Sequence, residues 1–225
     1  MTRILPIHGT WARREDATGD QWWQCGSPFH TALTAHCYDY LQPDDPFVWS
    51  GDVNGMAGIL HRFVGKPPND KGDWTSAARA LRWYLRLYAP TGPRIVIAHS
   101  HGVNPAIYAA AAGARLDVLV TIASPVRDDM RETYRIARPN IGYWLHIYDA
   151  KFDRTGSAGA FGDGSFDWWW NPKSRHQPVA HQNLALLGIS HSRLLNEDSA
   201  RFMSEVLPLV THIVHPSFGI TNATP

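Results

Sequence analysis

Short apolar runs alternate with amphipathic stretches along the chain. Strand-sized segments at residues 3–7, 47–49, 94–98, 118–123 and 143–148 are rich in β-branched and aromatic residues, and most end at Gly, Pro, Asp or Asn. Between two of them, over residues 74–88, Ala77, Ala78, Leu81, Tyr84, Leu85 and Tyr88 recur with a helical period. Arg79, Arg82 and Arg86 fall on the opposite face, which predicts a helix laid on a sheet. Asp73 stands where a cap belongs, and Pro90 and Gly92 end the element. A second helix is expected over 103–112, its alanines allowing close approach and Pro105 falling in the first turn. A third is expected over about 199–210, ended or bent at Pro208. Strands alternating with helices predict an α/β fold, a mostly parallel sheet covered on both faces and joined by right-handed crossovers.

Composition narrows the class without naming the chemistry. The 225 residues suffice for one well-buried domain, 1–225, and no repeat or low-complexity linker divides them. A formal net charge of +1 argues against nucleic acid as a partner. No apolar run reaches the roughly 18 residues of a membrane span. Thr2-Arg3 leads straight into Ile4-Leu5-Pro6-Ile7, too short for a signal-peptide core, so the expectation is a cytoplasmic protein with Cys25 and Cys37 reduced. Two long segments, about 13–45 and 156–178, lack periodicity and are candidate cap or entrance segments. They hold Trp22-Trp23, a candidate part of the cap or entrance, and Trp168-Trp169-Trp170, a candidate apolar wall expected to leave an exposed patch; rings plugging gaps left by the long loops are the alternative.

The chemistry gathers at Ala98-His99-Ser100-His101-Gly102. A buried-strand signal, Ile95-Val96-Ile97, precedes it and a small-residue helix follows. A strand turning sharply into a helix strains the central residue and lifts its side chain above the sheet, so the positions two before and two after must be small. The helix N-terminus below adds partial positive charge and free N–H groups for a developing oxyanion. Residues 95–112 resemble the nucleophile elbow of α/β-hydrolase lipases and esterases, in particular the small bacterial lipases with Ala in place of the first Gly. Ile7-His8-Gly9-Thr10-Trp11 resembles the His-Gly-x oxyanion segment of that superfamily. The resemblance implies Ser100 as nucleophile, with the N–H groups of Thr10 and His101 as the oxyanion hole. It also implies a minimal α/β-hydrolase fold of five or six parallel strands, because the two strands that precede this segment in larger members are absent.

The order Ser, acid, His of that superfamily places the acid after the strand at 143–148. Asp153 is the first choice and Asp149 the reserve. The base falls in Gly188-Ile189-Ser190-His191, ahead of the last helix. Trp11, His99, Trp168 and Trp169 are the candidate substrate-lining residues. No metal-ligand spacing such as His-Glu-x-x-His occurs, and the implied mechanism requires no metal or other cofactor. The expected activity is hydrolysis of a small-molecule or lipid carboxylic ester. A thioesterase or amidase on the same residues, or a non-catalytic binding protein using its aromatic surface, are the alternatives. The oligomeric state is not legible.

Overall fold

The computed structural model describes residues 1–9, 21–42, 44, 47–49, 71–127, 130–150, 176–189 and 192–214. Six strands form one all-parallel sheet: β1 (Thr2–Ile7), β2 (Tyr38–Tyr40), β3 (Ile95–His99), β4 (Leu116–Ile122), β5 (Ile141–Asp149) and β6 (Gln182–Leu186). Their spatial order is β2-β1-β3-β4-β5-β6. The helices are α1 (Pro28–Ala35), α2 (Lys71–Tyr88), α3 (Val103–Ala111), α4 (Arg131–Ala137), α5 (Arg193–Asn196), α6 (Ser199–Arg201) and α7 (Leu207–Val214). Together they make a small three-layer α/β fold.

Alternation of side chains along each strand divides the interior into two cores. Leu5, Ile7, Val96, Ala98, Leu119 and Trp144 face α2, α3 and α4. Ile4, Ile95, Ile97, Val118, Val120, Leu145 and Ile147 face α1 and the C-terminal helices, where Phe29, Leu33, Leu195, Phe202 and Val206 meet them. Strands buried on both sides read as continuous apolar runs, which is why β3, β4 and β5 stand out in the sequence.

Four expectations need correction or narrowing. The segment 47–49 is not a strand. Phe47 and Trp49 are buried as aromatic plugs, Phe47 edge-on to Tyr84 at 5.7 Å, with no ladder pairing. Helix α2 begins at Lys71, so Asp73 lies inside its first turn and not at the cap. Of the two outcomes expected at Pro208, a stop is excluded, since the last helix continues to Val214. A π-helical turn at Phe202–Val206 joins α6 to α7, widening the ladder just before a ring that an α-helical carbonyl four residues back would strike. Trp22 and Trp23, expected at an entrance, are core residues. The aperiodic stretch 13–45 holds α1, capped by Ser27 Oγ accepting from His30 N at 3.1 Å, and the three-residue edge strand β2. Among the described residues no helix is long and apolar enough to cross a membrane. Cys25 and Cys37 are exposed and unbonded.

Candidate active site

The strand order locates the site before any side chain is considered. From β1 the chain moves outward to β2, then returns to β3 on the other flank of β1. Crossovers leaving in opposite directions open a crevice beyond the carboxyl ends of those two strands, where open α/β sheets hold their ligands. His8-Gly9 follows β1 there, and Ser100-His101-Gly102 follows β3.

Ser100 has φ of 52°, in the left-handed region that side chains other than glycine's rarely occupy. Such a conformation costs on the order of 1–3 kcal/mol and persists where its surroundings enforce it. The enforcing contacts are made between the end of β1 and the turn itself. A Cβ on Gly102 would stand 2.3 Å from the His8 carbonyl oxygen and 2.8 Å from that of Ile7. One on Gly9 would stand 2.8 Å from Ser100 Cβ. The end of β1 is therefore pressed into the turn after β3, and only glycine fits at either contact. Ala98, fully buried between Ile7 and Thr121 in the sheet register, meets the same demand on the strand side. Ser100 is only 2% exposed, yet its hydroxyl makes no hydrogen bond with any described residue. A serine serving the turn itself would bond a nearby backbone group. Directly beneath, the turn Ser100–Gly102 runs into α3, aiming a helix N-terminus at the crevice.

Aromatic rings wall the turn on both sides. His99 meets the edge of Trp22 at 6.3 Å on one side, and His101 stacks on Trp74 at 6.2 Å on the other. The guanidinium of Arg127, a buried residue in the segment after β4, lies 4.9 Å from the Trp74 ring centre. Sequence reasoning missed Trp49, Trp74 and Arg127 as neighbours of the site, since nothing in their local pattern marks them.

His8 is fully buried, 5.0 Å from the ring of Trp23 and stacked at 5.8 Å on Trp49. Its Nδ1–H donates to the Gly9 carbonyl at 2.7 Å, and the Trp49 indole N–H donates to the His8 carbonyl at 2.8 Å. Burial holds its pKa below the ordinary value, against a smaller upward pull from the backbone of Gly9 and Trp49. The unfolded chain takes up this proton as pH falls through about 6.5 while the folded chain resists it, so stability falls with pH below that point. Thermal unfolding between pH 7.5 and 5.5 checks this. The wild type is expected to lose up to about 1.4 kcal/mol per pH unit more than His8→Asn, a few degrees in melting temperature for about 200 residues. Parallel pH dependence of the two proteins would rule the linkage out.

No family model, curated protein or solved structure matches this chain. The geometry stands alone. Asp149 is the last residue of β5, buried, and paired in register with Leu186 of β6. Because every strand is parallel, it sits at the same edge of the sheet as Ser100. Beyond β6, Gly188 adopts φ of 70° and the Leu187 carbonyl accepts from Arg201 Nη1 at 2.7 Å. Ile189, Leu194 and Leu195 are buried, so the chain is anchored on both sides of residues 190 and 191. Thr10, Trp11, Asp153, Trp168, Trp169 and His191 lie outside the described residues. Of the expected site, the structure thus places His99, Ser100, His101 and Asp149. One further polar group lies below the carboxyl edge: Thr121 Oγ1 sits 2.8 Å from His146 Nδ1 and accepts from Trp144 Nε1–H at 3.0 Å. This buried bridge locks β4 to β5.

Proposed function

We propose that this chain is a serine hydrolase of the α/β-hydrolase type, cleaving carboxylic esters through an acyl-enzyme. The observation that carries the proposal is the left-handed backbone of Ser100 at the topological switch point, wedged by Gly9 and Gly102. That is the conformation a nucleophile elbow demands. The parallel sheet supports it further, since in the sequence Ser100 follows β3, the candidate carboxylates lie at or after the end of β5, and His191 follows β6, strands that end at one edge in the order Ser, acid, His.

In this mechanism Ser100 Oγ attacks the acyl carbonyl while His191 accepts its proton. The N–H groups of Thr10 and His101 hold the oxyanion, the second of them at the start of the turn into α3. Collapse of the tetrahedral adduct breaks the C–O bond, and His191 returns its proton to the departing alcohol. Water, deprotonated by His191, then attacks the acyl-Ser100 ester and releases the acid. Asp153, with Asp149 in reserve, accepts the Nδ1–H of His191 and stabilises the imidazolium.

The test is covalent labelling by a fluorophosphonate probe alongside hydrolysis of p-nitrophenyl esters of rising chain length. Wild-type protein is expected to label one-to-one and to turn over at least one ester. Ser100→Ala is expected to lose both while keeping its melting temperature. Folded wild-type protein that neither labels nor hydrolyses any ester would overturn the proposal.

A further inference from the structure

A surface away from the crevice carries a different signal. The inward face of α2 is formed by Trp74, Ala77, Ala78, Leu81 and Leu85, all buried. At about 100° per residue, the opposite face is centred on Arg79 and Trp83, with Arg82 and Arg86 along one side and Leu87 along the other. Trp83 is 60% exposed and Leu87 65%, among the largest apolar exposures of the described residues. Arg86 lays its guanidinium 5.9 Å from the Trp83 ring centre. Neither Arg79, Arg82 nor Arg86 makes an ion pair with any described residue, and no acidic residue occurs between Trp74 and Tyr88. The whole chain is almost neutral, at +1, so this is a local concentration of cations and not general basicity.

We propose that the outer face of α2 docks on an anionic lipid bilayer. The helix lies flat, with Trp83 and Leu87 entering the boundary between headgroups and acyl chains. The arginines hold their stems against that boundary and their guanidinium groups among the lipid phosphates. The charge complementarity selects an anionic surface. The solvent-facing Trp and Leu select lipid over an acidic polypeptide or RNA, because an aliphatic side chain beside the arginines gains nothing from a carboxylate or a base edge. Two apolar side chains and three cations on one 18-residue helix give a reversible, salt-sensitive attachment. The proposal is independent of the chemistry at Ser100.

Co-sedimentation of the full chain with vesicles tests it, comparing equimolar phosphatidylcholine and phosphatidylglycerol with phosphatidylcholine alone. Wild-type protein is expected to pellet with the anionic vesicles only, and to be released by 1 M salt, where the screening length shrinks to roughly 3 Å. The triple variant Arg79→Gln, Arg82→Gln, Arg86→Gln is expected to lower the partition coefficient on the order of 100-fold, about fivefold per arginine. Trp83→Ala with Leu87→Ala is expected to weaken binding at every salt concentration at which the wild type binds. Equal pelleting with both vesicle types, or a triple variant that binds as the wild type does, would overturn the proposal. So would wild-type protein that ignores vesicles but binds polyglutamate or single-stranded RNA through the same arginines. Unchanged melting temperatures show that the variants are folded, and unchanged fluorophosphonate labelling separates this result from the test of Ser100.

Discussion

Gly102→Ala is expected to destabilise the protein by roughly 3–5 kcal/mol, the range of severe core disruptions, and to abolish reaction at Ser100. Gly102 has φ of −59° and ψ of −16°, ordinary right-handed values, so alanine meets no conformational objection there. The whole penalty is steric. The added Cβ would lie 2.3 Å from His8 O, 2.8 Å from Ile7 O and 3.0 Å from His8 C, all backbone atoms. None can swing aside as a side-chain tip would. Ile7 is locked in the sheet beside Ala98, and His8 is clamped between two tryptophans. Overpacking a core usually costs about 1–3 kcal/mol because side chains yield; here the backbone of β1 must move. At about 2–4 °C per kcal/mol for a chain of this size, the melting temperature should fall by about 6–20 °C. Two other glycines calibrate the effect. Gly113→Ala, at φ of 90° with open space around it, should show conformational strain alone. Gly92→Ala, with open space and no positive φ, should be close to neutral. A Gly102→Ala protein melting within about 2 °C of wild type would mean that β1 and the Ser100 turn are not in contact as described.

That contact also explains why the centre of the molecule was legible in the sequence and its margins were not. Ile95-Val96-Ile97, the small residues at 98 and 102 and the alanines of α3 are local signatures, each dictated by burial on both faces or by close approach. They predicted β3, the turn and α3 almost to the residue. The edge strands gave no such signal. β2 is three residues long, and of β6 only Leu186 is buried, so neither carries the apolar run of a central strand. Phe47 and Trp49 misled for the opposite reason: they are apolar because they fill a gap over His8 and beside α2, not because they pair in a sheet. The pairing of Thr121 with His146 was invisible because it depends on the register between β4 and β5. Arg127 over Trp74 joins residues more than fifty apart, a contact that only the completed fold creates.

In the proposed mechanism, a pair of substitutions identifies the carboxylate that serves His191. Asp153→Asn is expected to reduce kcat by about 10⁴-fold, the scale seen when a triad base loses the partner that fixes its tautomer. Asp149→Asn is expected to reduce it less than tenfold. The difference follows from where Asp149 sits. Along β5, Leu145 and Ile147 face the C-terminal helices, and alternation puts Asp149 on that same face. Its charge there acts on Arg201, whose pKa is raised first by the hydrogen bond to Glu205, then by the charges of Glu205, Asp198 and Asp149. Arg201 in turn donates to the Leu187 carbonyl, one residue before the Gly188 turn that leads to His191. Asp149 therefore belongs to a set of charges around Arg201, which holds the chain at Leu187 ahead of the proposed base. Glu205 and Asp198 remain to hold Arg201 when it is removed. Asp153, four residues past the strand end in the sequence, is the carboxylate that the α/β-hydrolase resemblance assigns to the imidazole. The two roles also separate by pH. Losing the acid should lower the pKa of His191 and shift the acidic limb of kcat/KM downward, whereas losing a steadying charge should leave that limb in place. If Asp149→Asn shows both the large kcat loss and the displaced limb, the strand-end carboxylate is the acid and Arg201 becomes the residue that tunes it.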